Sequence, residues 1–236
     1  MDDSNKPNKQ RSNSVYCVSA SDCWTVGASR TIIQWTGSSW ANVTSPTTND
    51  LNSVYCVSAS DCWAVGDSGT IIQFTGSSWT TVTSHTRQPL YSVFCVSASD
   101  CWTVGNPGTI IQWTGSSWAM VASPTSKGLV SVFCADASDC WAVGTFGTII
   151  QFTGSSWTTV TSPTSNYLLS VFVDSGWAVG VSGTIIRGDP VAATTTSTTA
   201  TTVIPEYLLL GLPVLAIFML IAYGLIKRRN RNPKSI

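Results

Sequence analysis

Residues 53–82 read Ser53-Val54-Tyr55-Cys56-Val57-Ser58-Ala59-Ser60-Asp61-Cys62-Trp63-Ala64-Val65-Gly66-Asp67-Ser68-Gly69-Thr70-Ile71-Ile72-Gln73-Phe74-Thr75-Gly76-Ser77-Ser78-Trp79-Thr80-Thr81-Val82. Short runs rich in Val, Ile, Thr and aromatic residues alternate with clusters of Gly, Ser and Asp. β-branched and aromatic side chains suit a half-buried pleated surface, and Gly, Ser and Asp close tight turns. The pattern predicts strands over 53–57, 62–65, 70–74 and 79–82. No part of this stretch, or of its copies, spaces apolar residues for a helix.

The copies are plain. The Ser that opens the stretch recurs at Ser14, Ser53, Ser92, Ser131 and Ser170, in steps of 39 residues. Four short strands in a period near 40 make one propeller blade. The expected fold is therefore all-β: a β-propeller domain over residues 14–190, with about five 39-residue blade repeats, the last one incomplete. A solenoid with one sheet per repeat is the architectural rival.

Cysteine usage bears on compartment. Cys17/Cys23, Cys56/Cys62, Cys95/Cys101 and Cys134/Cys140 each bracket the turn between the first two predicted strands. Residues facing each other across an antiparallel hairpin lie close enough for a disulfide, with Cα atoms ~5.5 Å apart in one pair type. In the fifth copy, Val173-Asp174-Ser175-Gly176-Trp177 drops both cysteines and three residues together. A staple explains the joint loss, because one cysteine alone is useless and a shortened turn closes by itself. Free thiols and metal ligation are the alternatives. Zinc ligand pairs are usually two to four residues apart, and His85 is the single histidine. Disulfides would imply an oxidising compartment.

The run from Ala64 to Trp79 resembles the repeats of Asp-box-like propellers, among which are the photosystem II assembly factor and the sialidase-type propellers. It also resembles bacterial and archaeal surface repeats built on Cys-Trp-Ala-Val-Gly and Gly-Ser-Ser-Trp. The resemblance covers residues 14–187 and implies a propeller without implying an activity. Where the Asp-box pattern places Asp before Gly-x-x-Trp, Thr75 and its equivalents stand instead.

The remaining segments differ in composition. Residues 1–13 are polar. Residues 191–203 contain seven threonines and read as an extended Thr-rich linker. Residues 204–226 are expected to form a transmembrane helix, because Tyr207–Ile226 is uncharged and long enough to span the ~30 Å hydrocarbon layer. Lys227, Arg228, Arg229, Arg231 and Lys234 follow in the basic tail, 227–236, which the positive-inside rule places in the cytoplasm. The chain would then be a single-pass cell-membrane protein with its propeller outside. Pro205-Glu206-Tyr207 also resembles archaeal surface-sorting tails carrying Pro-Glu-Phe, which would imply cleavage of the span and a lipid anchor. Asn42-Val43-Thr44 is a glycosylation sequon.

Overall neutrality hides an asymmetry. Residues 1–203 hold eleven Asp, no Glu and seven Lys or Arg, a net charge of −4. An acidic outward domain disfavours nucleic acid as a partner. It also lacks a paired carboxylate set for acid–base or glycosidase chemistry, so no enzyme, no cofactor and no metal site is expected. Asp22, Asp61, Asp100 and Asp139 recur before the second cysteine and are expected to close turns. Arg30 and Asp67 depart singly from the repeat, which drift explains.

The tryptophans are the candidate binding residues. Trp24, Trp63, Trp102, Trp141 and Trp177 follow the second cysteine or its equivalent, where packing between blades is expected. Trp40, Trp79, Trp118 and Trp157 follow Gly-Ser-Ser beside a turn, where a row of exposed indoles would suit sugar stacking. Two functions follow: a surface-anchored module binding protein or glycan, or a structural envelope protein with no discrete ligand.

Residues 1–10 lack the apolar core of an export signal. Pro7 stands seven residues before Ser14, as Pro46, Pro124 and Pro163 stand before later repeats. The reading frame upstream of Met1 is accordingly expected to encode a further Gly-Ser-Ser-Trp strand and a signal peptide.

Topology is testable on cells. Protease added to intact cells is expected to remove residues 14–190 and spare an epitope on 227–236. A propeller protected until the membrane is permeabilised would reverse the assigned orientation.

Overall fold

The computed structural model describes residues 11–172 and 176–187. It contains five antiparallel sheets, one per repeat, each a simple meander. The first comprises β1 (Ser12–Ser19), β2 (Asp22–Gly27), β3 (Thr31–Trp35) and β4 (Trp40–Asn42). The second comprises β5 (Leu51–Ser58), β6 (Asp61–Gly66), β7 (Ile71–Phe74) and β8 (Trp79–Val82). The third has β9 (Leu90–Ser97), β10 (Asp100–Gly105), β11 (Thr109–Trp113) and β12 (Trp118–Met120), and the fourth β13 (Leu129–Asp136), β14 (Asp139–Gly144), β15 (Ile149–Phe152) and β16 (Trp157–Val160). The fifth has three strands among the described residues: β17 (Leu168–Phe172), β18 (Trp177–Gly180) and β19 (Ile185–Arg187). The turn residues 173–175 and the expected linker, span and tail lie outside the described residues. Among the described residues, no helix is long and apolar enough to cross a membrane.

Side chains alternate between the two faces of a strand, and here both faces are apolar. One face of the second sheet carries Leu51, Val54, Cys56, Cys62, Ala64, Ile72, Phe74 and Trp79, and packs against Trp24, Val26 and Ile32 of the first. Its other face carries Trp63, Val65 and Ile71, and packs against the third sheet at Leu90, Val93, Ile111 and Trp118. The third and fourth sheets meet in the same way, with Trp102 of the third set against Phe152 and Trp157 of the fourth. Each of the first three sheets thus drives a tryptophan wedge into an aromatic cleft on the next. Trp24 lies 4.7 Å from Phe74 and 5.3 Å from Trp79; Trp63 lies 4.8 Å from Trp113 and 5.2 Å from Trp118. The wedge rings meet Trp79, Trp118 and Trp157 edge to face, the favoured aromatic geometry.

First strands lie side by side along the array and form its inner wall. The Ser that opens each repeat joins them: the amides of Val54, Val93, Val132 and Val171 donate to the hydroxyls of Ser14, Ser53, Ser92 and Ser131 at 3.2–3.3 Å. Beside this ladder runs a row of aromatic rings, Tyr16–Tyr55–Phe94–Phe133–Phe172, with centroids 4.5–4.8 Å apart. Burial, with Tyr16 as a second cause, raises the pKa of the Tyr55 hydroxyl.

All four expected disulfides form within their repeats, as Cys17–Cys23, Cys56–Cys62, Cys95–Cys101 and Cys134–Cys140, and every cysteine is paired. Their Cα atoms are 3.9 Å apart, nearer to the narrow antiparallel pair than to the wider one expected above. They bracket the hairpin turns as expected, and the structure adds their depth. Cys62, Cys101 and Cys140 are fully buried, and Cys56, Cys95 and Cys134 nearly so. The reason is that these sulfurs point to the cleft face, which the preceding sheet covers: Cys95 and Cys101 belong to the junction with the second sheet, Cys134 and Cys140 to that with the third. Only in the first sheet, whose cleft face no described sheet covers, does a bridge cysteine, Cys17, remain exposed.

In the fifth sheet, Phe172 faces Trp177 as Tyr55 faces Trp63 in the second. The shortened hairpin therefore keeps its register without a staple. The recurring aspartates do more than close turns. Asp61 faces Ser58 at the hairpin end, and its carboxylate accepts the Gln73 amide from the third strand at 3.0 Å. Asp22, Asp100 and Asp139 accept Gln34, Gln112 and Gln151 alike. Gly66 closes the second strand where a Cβ would collide with the carbonyl of Asp50. No other residue fits there.

The wedge carries the largest packing contribution. Trp102→Ala is expected to cost about 3–5 kcal/mol, as large aromatic truncations in cores do. Trp40→Ala, on the open outer sheet, is expected to cost less than about 1 kcal/mol. Guanidinium unfolding of the two variants checks this; equal losses would contradict the wedge account.

Candidate functional site

The two ends of the sheets differ in how much the repeats vary. One rim is formed by the turns joining the first and second strands and those joining the third and fourth. These read Ser-Ala-Ser-Asp, or Asp-Ala-Ser-Asp in the fourth repeat, and Thr-Gly-Ser-Ser. Gly37 of the second turn type lies against Ser21 of the first, and Gly76 against Ser60. This rim is nearly constant along the array.

The opposite rim is formed by the loops between second and third strands and by the connections between repeats. The two are tied by hydrogen bonds. Asp67 N–H donates to the Asp50 carbonyl at 3.0 Å, Asn106 to Pro89 at 3.1 Å, Thr145 to Gly128 at 2.9 Å and Val181 to Tyr167 at 2.9 Å. The loops read Ala28-Ser29-Arg30, Asp67-Ser68-Gly69, Asn106-Pro107-Gly108, Thr145-Phe146-Gly147 and Val181-Ser182-Gly183. Here the repeats diverge on one shared backbone: Ser68, Phe146 and Ser182 all sit at φ of 56–57°. Binding residues concentrate on loops held by a rigid scaffold, and this is the rim where that variation falls.

Its chemistry changes along the array. Around the first two repeats it is polar and charged. Ser29 N–H donates to the Asp50 carboxylate at 2.7 Å, and Asn52 donates to Asp67 at 3.0 Å. A shallow open depression of about 430 Å3 lies between Ser68–Gly69 and Val82–Arg87, with His85 and Arg87 on its wall. Toward the last two repeats the rim becomes aromatic. Phe146 is 59% exposed, and its ring meets Tyr167 edge to face at 5.4 Å. The Lys127 ammonium lies 4.7 Å above the Phe146 ring, a cation–π contact. A bulky side chain at positive φ is strained; Ser occupies this position in three other repeats, as Ser29, Ser68 and Ser182.

The tryptophans expected to bind sugar are mostly elsewhere. Trp79, Trp118 and Trp157 are buried, at 4%, 1% and 4% exposure, because they form the clefts that receive the wedges. This corrects the expectation of an exposed row. Trp40 alone of the four is open, at 51%. The bridges Cys56–Cys62, Cys95–Cys101 and Cys134–Cys140 line those same clefts and contribute nothing to either rim. Arg30 and Asp67, which read as drift in the sequence, belong to the variable rim, which also holds Lys127, Phe146 and Tyr167. The available signal was the divergence of the loops between otherwise matching repeats.

No protein-family model matches the chain, and no curated protein does. Solved structures share its fold at low identity. YCF48 bound to a D1 peptide aligns with a TM-score of 0.62 and 17% identity, over 78% of this chain and 64% of that one. YCF48 from Cyanidioschyzon merolae aligns with a TM-score of 0.62 and 14% identity, over 83% and 72%. The WD40 repeats of RRP9 align at 0.59 and 10% identity, over 75% and 62%. The chain thus spans less than two thirds of the length of the first and third of these. The likeness establishes a β-propeller-like array of repeated four-stranded sheets, as the resemblance to photosystem II assembly factor propellers implied.

Proposed function

We propose that this chain is a membrane-tethered interaction module that binds a protein segment along the variable rim of its propeller. The carrying observation is the Lys127–Phe146–Tyr167 cluster: an exposed aromatic pair with a cation above it, held on a backbone that disfavours Phe. Neither packing nor backbone geometry calls for Phe at this position, and an exposed aromatic anchor is a common hot spot of protein interfaces. A propeller of similar fold, YCF48, takes a D1 peptide, which supports a peptide ligand here. The uncharged run Tyr207–Ile226 and its basic flank support the tether. Four disulfides support an outward, oxidising location. The absence of Glu from residues 1–203 supports binding without catalysis. Glycan binding is the less favoured reading, since it retains only Trp40 of its four candidates. A purely structural envelope role leaves the aromatic cluster without a purpose.

Phage-displayed random peptides panned on the full chain in mild detergent test the proposal. Peptides with micromolar affinity are expected, with binding at least about tenfold weaker to the Phe146→Ser and Tyr167→Ser chains. Phe146→Ser should itself change folding stability by less than about 1 kcal/mol, because Ser already occupies this backbone in other repeats. Peptides indifferent to both substitutions, or a panel that binds glycans and no peptide, would overturn the proposal.

A further inference from the structure

Among the described residues, the wedge and cleft that join neighbouring sheets are both left open at the two ends of the array. The first sheet presents a cleft that no sheet fills among the described residues: Val15, Thr25, Ile33, Trp35 and Trp40, with the Cys17–Cys23 bridge beside them. The Trp35 and Trp40 rings stand 5.7 Å apart, as Trp113 and Trp118 stand 5.9 Å apart in the third sheet. The fifth sheet presents a wedge: Phe172, Trp177, Val179 and Ile185 occupy the positions that Phe133, Trp141, Val143 and Ile149 hold in the fourth. Trp177 is 37% exposed and Ile185 43%, while Arg187 covers part of the Trp177 ring from 5.5 Å.

The two ends match in detail. Clefts come in two versions. In the second and fourth sheets they are built on Ala and Phe, at Ala64 with Phe74 and Ala142 with Phe152. In the first and third sheets they are built on Thr and Trp, at Thr25 with Trp35 and Thr103 with Trp113. The third sheet's Thr–Trp cleft is filled by Trp63, from a sheet reading Trp-Ala-Val-Gly. The open cleft of the first sheet is the same Thr–Trp version, and the open wedge of the fifth sheet again reads Trp-Ala-Val-Gly, at Trp177–Gly180. The junction between the second and third sheets is therefore a template for one between the two open ends.

We infer that two copies of this chain associate head to tail, with Trp177 of one copy entering the Trp35–Trp40 cleft of the next. Such a contact is heterologous, so each partner keeps one open end and further copies can add. It is weaker than the junctions within a chain for two reasons. Ser12 stands where Leu51, Leu90, Leu129 and Leu168 are fully buried in the other sheets. Association between separate copies also lacks the high effective concentration that a covalent connection supplies.

Native mass spectrometry of the full chain, released from detergent micelles at about 20 µM, reads the outcome. The wild type is expected to give monomers, dimers and longer species. Trp40→Ser removes the cleft and Trp177→Ser the wedge, and each should lower the dimer fraction at least about tenfold. Both side chains are more than a third exposed, so both variants should fold. Mixing the two variants, one of them isotope-labelled, should restore dimers of mixed mass that do not extend, because the one intact wedge meets the one intact cleft. A monomeric wild type at this concentration, dimers that survive either substitution, or a mixture that stays monomeric would overturn the inference. A monomer whose Trp40 is protected from solvent, which is the signature of closure within one chain, would overturn it equally.

Discussion

One indole entering the gap between two sheets is the contact on which the rest of the array depends. A four-stranded sheet with apolar residues on both faces has no stable existence alone in water. It must be covered twice. Trp24, Trp63 and Trp102 each bury almost completely against the next sheet. A buried aromatic removes about 150–250 Å2 from water, worth roughly 4–6 kcal/mol at the usual coefficient. Stability accordingly resides at the junctions between sheets more than within them, as in other arrays where each unit contacts only its neighbours. The wedge carries a cost: the indole N–H groups of Trp24, Trp63 and Trp102, and of Trp79, Trp118 and Trp157 facing them, have no oxygen or nitrogen acceptor. Dispersion and burial outweigh that loss.

The staples and the wedges address different ends of the same problem. The wedges join sheets; the disulfides hold the first two strands of a sheet at the depth where the cleft must form. Cys56 and Cys62 are themselves buried in the junction with the first sheet, as Cys101 and Cys140 are in the two junctions that follow. By the chain-entropy model a seven-residue loop gains about 2 kcal/mol from closure, well below the contribution of one wedge. That ordering agrees with the fifth sheet, which lacks the staple and still pairs Phe172 with Trp177 in the same register. Its strand pairing, with Val171 opposite Ala178 and Phe172 opposite Trp177, stands without a bridge.

Much of this is legible before any coordinates. The 39-residue period, the four strands, the pairing of cysteines and the packing of Trp24, Trp63 and Trp102 all follow from spacing and side-chain type. Other features read differently in the sequence, for physical reasons. The first strand begins earlier than expected, at Leu51 in place of Ser53, because Asn49 and Asp50 make the region read as a turn. Leu51 is nevertheless fully buried. Trp79 reads as exposed because it follows Gly76-Ser77-Ser78. Its position along the strand matters more than its distance from the turn: Trp79 pairs with Phe74 and shares the face that also carries Ala64 and Ile72. The turn brings the indole back over the sheet. Depth hides the cysteines in the same way, since Cys62 shares that face and is covered with it. The variable rim is harder to see, because single departures in a repeat look like drift until the fold places them side by side.

The second residue of each first strand shows how the rim acquires its two characters. Asn13 and Asn52 each donate a side-chain hydrogen bond to the first residue of the next first strand, Leu51 and Leu90, at 2.9 Å. The equivalent residues in the later repeats are Tyr91, Val130 and Leu169. Val130 cannot make that bond to Leu168, the first residue of the next first strand. Leu169 is 49% exposed and lies two residues from Tyr167 in sequence. No first strand follows it among the described residues, so no carbonyl there awaits an asparagine, and the leucine adds exposed apolar surface at this end of the rim. At Val130 the exchange gives up a hydrogen bond of about 1 kcal/mol. The asparagine bond is thus confined to the polar end of the rim, at the first two repeats.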